Sequence, residues 1–135
     1  MKKIFLFYIL NCIAFSVQSQ FEPDQVALHF LNDLKPIQLN QVQFKLTDSS
    51  KMRWHYLPHS SFQRKGLSMD SLSVIQNEKL MGLLDAFLSN SGYDKMEQII
   101  DLENYLAVKE QNPFKRNSKK YYVAFYGTPN NESPW

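Results

Sequence analysis

Two histidines stand four residues apart in His55-Tyr56-Leu57-Pro58-His59, the spacing that sets a zinc-binding imidazole pair on one helix face. Pro58 forbids that helix, and no glutamate follows His55 to serve as a general base. On an extended strand the two rings would share a face but stand far apart. The pair therefore reads as a polar strand end, and no metal site is expected. His29 reads as a residue at a helix boundary. Asp94, Glu97, Asp101 and Glu103 form a second cluster. Paired carboxylates can do acid–base work or hold calcium, but Glu97 and Asp101 stack one helical turn apart and read as a solvated face. Glu103 differs, because it falls in an apolar seam between Ile99, Ile100 and Leu106. A carboxylate there must find a partner or shift its pKa. Arg53 or Arg64 is the expected partner.

Lys115, Arg116, Lys119 and Lys120 alternate with Phe114, Tyr121 and Tyr122 in a pattern superficially like a nucleic-acid patch. Charge argues against that function. The chain of 135 residues opens with Lys2 and Lys3, an apolar run over Ile4 to Phe15, and Val17 and Ser19 at −3 and −1 of a cleavage point before Gln20. That run is too short for a comfortable bilayer crossing, so it reads as a cleaved export signal, leaving a mature chain without a membrane span. Cys12 lacks a small residue before it and enough apolar chain ahead of it for a lipoprotein signal. Cleavage removes the sole cysteine and two lysines, leaving 13 basic against 13 acidic residues. A neutral, cysteine-free exported chain excludes disulfide and thiolate chemistry and is poorly suited to polyanions. The four glycines are too scattered for a phosphate loop, and Ser60, Ser61 and Ser68 lack a nucleophile context. Asn131-Glu132-Ser133 is a formal glycosylation sequon followed by Pro134. No motif specifies a cofactor or a macromolecular partner.

The elements that must carry these residues follow from periodicity. Pro23 and Asp24 open a helix whose stripe is Val26, Ala27, Phe30, Leu31 and Leu34, closed by Pro36. Ile37 to Leu46 changes parity midway, by a bulge or by a short helix near Asn40 and Gln41. Met52, Trp54 and Tyr56 alternate with Arg53 and His55 as a half-buried strand ending at Pro58. Asp70 or Ser71 should cap a long helix lined by Leu72, Ile75, Leu80, Leu83, Leu84, Phe87 and Leu88. Ser89 to Gly92 reads as its stop, with Gly92 left-handed, and a partner helix begins near Asp94. Together they make an antiparallel hairpin. Finally, Tyr121 to Tyr126 reads as one strand that is apolar on both faces and needs cover on both sides.

Several short motifs keep a joint order: Trp54-x-Tyr56-x-Pro58, Arg64-x-Gly66-Leu67, Gln76, and Leu83-Leu84. Leu88-Ser89-x-x-Gly92-Tyr93, Leu102-Glu103-x-x-Leu106 and Tyr122-x-Ala124-x-Tyr126-Gly127-x-Pro129 follow. In this order they resemble the front half of the uncharacterised family catalogued as domain of unknown function 3500. That family continues past the position of Trp135 with a histidine-containing motif and a further strand. Signal, patterning and resemblance together give the expectation of a bacterial exported protein of α+β class, a helical hairpin packed beside a partial sheet, with the chain an incomplete N-terminal portion of a larger domain. The expected divisions are a signal peptide over 1–19, a helix and irregular segment over 20–52, and the first part of the family domain over 53–135.

Two functions remain open on these grounds. In the first, the protein is part of a hydrolase whose catalytic or metal residues lie downstream. Arg64, Gln76 and Glu103 would then line or support the site, with Trp54 and Tyr56 as an apolar wall. In the second it is a non-catalytic binding or structural module, with the same polar residues forming structural pairs.

Overall fold

The computed structural model describes residues 22–53, 55 and 61–135. The chain is α+β, as its patterning implies. Among the described residues, four α-helices run in the order α1 (Pro23–Asn32), α2 (Pro36–Val42), α3 (Val74–Phe87) and α4 (Asn90–Lys109). The described residues also form four two-residue strands between and after these helices: β1 (Gln43–Phe44), β2 (Leu67–Ser68), β3 (Tyr122–Val123) and β4 (Phe125–Tyr126).

Helix α1 begins at Pro23, whose fixed φ suits a first helical residue, and Asp24 complements the positive end of the dipole. It buries Ala27, Phe30 and Leu31 and stops at Asn32. Pro36, expected to close this helix, instead opens α2. That short helix is the device that changes the parity between Ile37 and Phe44. The expected strand around Met52 does not form at its start. Ser49–Met52 is a 3-10 turn, held by Asp48 accepting from the Ser50 amide at 2.8 Å, and Met52 is 79% exposed. Trp54, Tyr56 and His59 lie outside the described residues.

Helix α3 starts at Val74, later than Asp70 or Ser71 would have it. Ser73 Oγ accepts from the Gln76 amide at 3.2 Å, and Gln76 Oε1 accepts from the Ser73 amide at 3.0 Å. This reciprocal capping box satisfies two backbone donors at the helix start. Met69–Ser71 becomes a 3-10 turn instead. Helix α3 buries Gln76, Leu80 and Leu83, while Ile75 is 64% exposed and does not join the expected stripe. Only Leu88 and Ser89 separate α3 from α4. The Ser89 hydroxyl accepts from the Gly92 amide at 3.2 Å, so Ser89–Gly92 begins a helix rather than ending one, and Gly92 is not left-handed.

The core lies between α1 and α3, with Phe30, Leu31 and Leu34 meeting Leu72, Leu80 and Leu83; Val42, Leu67 and Phe125 close it. It takes residues from both sides of position 53. Tyr121 to Tyr126 is not one continuous strand. β3 pairs antiparallel with β2 (Leu67 opposite Val123), and β4 pairs parallel with β1 (Phe44 opposite Tyr126). The segment changes partner at Ala124, where Gly66 comes close. A Cβ on Gly66, whose φ is +110°, would sit 2.4 Å from the Val123 carbonyl oxygen. Phe125 is covered on both faces, by Phe30 at 6.0 Å between ring centroids and by Trp135 at 5.9 Å. Trp135 returns through the turn after Gly127, meets Phe87 edge-on at 5.6 Å, and donates from Nε1 to Asp24 Oδ1 at 3.0 Å.

Candidate functional site

Gln76 is buried and its amide is fully engaged. Its Nε2 donates to the Asp33 carbonyl at 2.8 Å and to Gln38 Oε1 at 3.1 Å. Its Oε1 accepts from the Ser73 amide and from Gln38 Nε2, each at 3.0 Å. Gln38 in turn donates to the Ser71 carbonyl at 2.8 Å and accepts from the Lys35 amide at 2.9 Å. The two amides therefore join the end of α1 to the starts of α2 and α3. Buried polar groups are tolerated when every atom has a partner, and these do. Gln76 supports the fold.

Glu103 lies partly buried on α4, and its partner is Arg116 at 3.6 Å, where Arg53 or Arg64 was expected. Arg116 also grips Glu110 with two bonds, from Nε at 3.1 Å and Nη2 at 2.9 Å. Those bonds, and the nearby Arg116 charge, hold the Glu110 carboxyl below its ordinary range. Arg53 lies over the Phe62 ring at 5.4 Å, and His55 stacks near the same ring at 4.9 Å. Arg64 is half-buried in the loop ahead of Gly66, with its own interactions. Gln76 and Glu103 thus belong to separate networks and do not converge on one site. Lys115 and Lys120 in the basic loop meet Glu110 at 3.8 Å and Asp70 at 3.3 Å. Among the described residues no three His, Cys, Asp or Glu side chains gather to hold a metal ion.

What the sequence did not single out is the space beneath α4. This helix carries Met96, Ile99, Ile100 and Leu106, yet none of its residues is fully buried. Between it, α3 and the β3 segment lies a cleft of about 500 Å³. Leu80 and Leu84 form its α3 wall, Met96, Ile99 and Ile100 its α4 wall, and Tyr121 to Ala124 the third side, with Met69 at the junction. Burial, and secondarily the Glu103 charge, push the Tyr121 phenol above its ordinary pKa, so Tyr121 is a neutral hydroxyl at physiological pH. Ligand sites of small molecules have this volume and this apolar lining with a few polar groups at the edge. A second cleft, of about 680 Å³, runs along the edge of the α1–α3 contact beside His29, Lys79 and Gly82. Lys79 there is already ion-paired with Asp33.

A family model described as protein of unknown function (DUF3500) matches residues 21–135. The chain belongs to that family. The DUF3500 match takes in α1 and α2 as well as the segment from Arg53 onward, in keeping with a core that α1 shares with α3. No curated protein and no solved structure matches the chain. Among the described residues of this DUF3500 member, no helix is long and apolar enough to cross a membrane.

Proposed function

We propose that this DUF3500 protein is an exported binding module whose ligand site is the apolar cleft between α3, α4 and β3. The observation that carries the reading is an amphipathic helix of 20 residues, none of them fully buried, standing over a cleft of about 500 Å³. Helices of this kind ordinarily owe their stability to a buried apolar face. A ligand that fills the cleft supplies the missing contacts. Met69 and Met96, flexible and polarizable, suit a site that must adapt to its occupant. The hydrolytic reading has Arg64, Gln76 and Glu103 line or support a site whose catalytic residues lie downstream; the structural partners of Gln76 and Glu103 favour the binding module.

Titration with a neutral apolar fluorophore such as N-phenyl-1-naphthylamine tests this. Saturable binding of one probe per chain is expected, and Met96→Trp, which fills the cleft from a half-buried position, should weaken it by about tenfold or more. Unsaturable binding, or a Met96→Trp protein that binds as before, contradicts it. Export rests on Lys2, Lys3, the apolar run and the Ser19–Gln20 cleavage pattern, which lie within residues 1–21, outside the described residues. The exported protein should begin at Gln20 on N-terminal sequencing; an intact Met1 in that fraction would rule out cleavage there.

A further inference from the structure

Among the described residues, the strand that forms one side of the apolar cleft is paired along one edge only. In the β2–β3 ladder Leu67 stands opposite Val123 and Ser68 opposite Tyr122, and the Met69 amide donates to the Tyr121 carbonyl at 3.0 Å. Opposed residues of an antiparallel ladder alternate between bonded and non-bonded pairs. The Met69–Tyr121 bond makes Tyr121 and Val123 the bonded positions, so the N–H and C=O of Tyr122 point away from β2. No backbone hydrogen bond among the described residues engages Tyr122 or Ala124. Both residues are half-buried, and both line the cleft together with Tyr121 and Val123. Successive side chains of a strand point to opposite faces, so a cleft that touches four in a row runs along the strand's edge. The edge towards β2 is already taken. The cleft therefore borders the open one.

We propose that the ligand of the apolar cleft is an extended peptide with apolar side chains at alternate positions, which adds as a strand along Tyr122 and Ala124. This rests on the reading of the cleft as a ligand site. An extended chain presents an N–H and a C=O to one edge at every second residue, about 6.6 Å apart, and Tyr122 and Ala124 offer theirs at the same interval. Backbone bonds to these two residues set the peptide's register. Its alternate side chains then enter the space between Leu80 and Leu84 of α3 and Met96 and Ile99 of α4. A hydrocarbon chain would fill the same space, but it would strip water from the Tyr122 and Ala124 backbone groups and return no partner. An open strand edge is a template for a further strand, and here that strand would find an apolar cleft beside it.

Displacement of N-phenyl-1-naphthylamine from the full chain tests this with two probes, a blocked heptapeptide of alternating valine and threonine and the same peptide methylated at every backbone nitrogen. The unmethylated peptide should displace the fluorophore. Methylation keeps the side chains but removes the backbone donors, and should weaken displacement by about tenfold or more. Amide hydrogen exchange read by NMR locates the bonds: saturation with the unmethylated peptide should slow exchange at Tyr122 and Ala124 by about tenfold or more. Equal displacement by the two peptides, or unchanged exchange at both amides, overturns strand addition and leaves the apolar site standing. A fluorophore that binds saturably and yields to neither peptide overturns the peptide assignment in favour of a non-peptide ligand. Slowed exchange at both amides in the free chain that grows with protein concentration gives the edge to a second copy and overturns it too. Absence of saturable fluorophore binding overturns the cleft reading, and this proposal with it.

Discussion

Replacing Phe30 with alanine should lower the unfolding free energy by about 3–5 kcal/mol, read as a fall in the urea midpoint at unchanged m-value. The ring is wholly buried and stacks against Phe125, which in turn stacks on Trp135. Truncating Phe30 removes its own transfer energy and opens a cavity at one end of that stack. The stack links α1, β4 and the returning chain at Trp135, so nearby side chains have little freedom to close the gap. Against a typical domain stability of about 5–15 kcal/mol, such a loss is large. Ile75→Ala is the matched control. Ile75 is mostly exposed, and its truncation should cost within about 0.5 kcal/mol. Equal costs at the two positions would contradict the core as described.

Gln76→Leu carries the second large effect, a loss of about 3–5 kcal/mol. Leucine has nearly the right volume but leaves the Asp33 carbonyl and the Ser73 amide without the Gln76 bonds, and strips Gln38 of one donor and one acceptor contact. Each buried polar group so abandoned costs about 1–3 kcal/mol, and the capping box at the start of α3 loses its side-chain half, keeping only the bond from the residue 76 amide to Ser73 Oγ. Thermal unfolding monitored by far-UV circular dichroism reads this directly. The comparison with ligand binding decides the residue's role. If Gln76 is structural, the folded fraction of Gln76→Leu at low temperature binds an apolar probe as the parent protein does. A variant of parental stability that has lost binding would return Gln76 to the site.

Much of this architecture is written in local pattern. Pro23, Asp24 and the spacing of Ala27, Phe30 and Leu31 mark α1 directly, because a helix face and its first turn are properties of neighbouring residues. The α3 start was also legible, in Ser73-x-x-Gln76, but the nearer Asp70 and Ser71 offered competing caps. What excludes them is non-local: the amides of Met69 and Asp70 bond the carbonyls of Tyr121 and Lys119, holding that stretch beside the β3 segment. Ser89 to Gly92 shows the same ambiguity, since a serine that can end one helix can also cap the next. The double-sided apolar run at Tyr121 to Tyr126 suggested one central strand. Its actual solution, two partners exchanged at Ala124, depends on Gly66 and Phe44 arriving from distant parts of the chain. Which role Gln76 and Glu103 take within the fold was hidden for a related reason. Gln76 and Glu103 stood out by type and position, but Gln38 and Arg116, the partners that commit them to the fold, are distant in sequence. The cleft was invisible because an apolar stripe on α4 looks the same whether or not something buries it.

The central claim is that the space beneath α4 binds an apolar ligand, and methionine-methyl NMR of the full chain during octanol titration tests it most directly. Met69 and Met96 line the cleft, while Met52 lies on the exposed turn at Ser49–Met52. The account predicts saturable shifts of the Met69 and Met96 methyl signals with a common Kd and a stationary Met52. Shifts of all the methyl signals in proportion to added octanol, or none at Met69 and Met96, would contradict it.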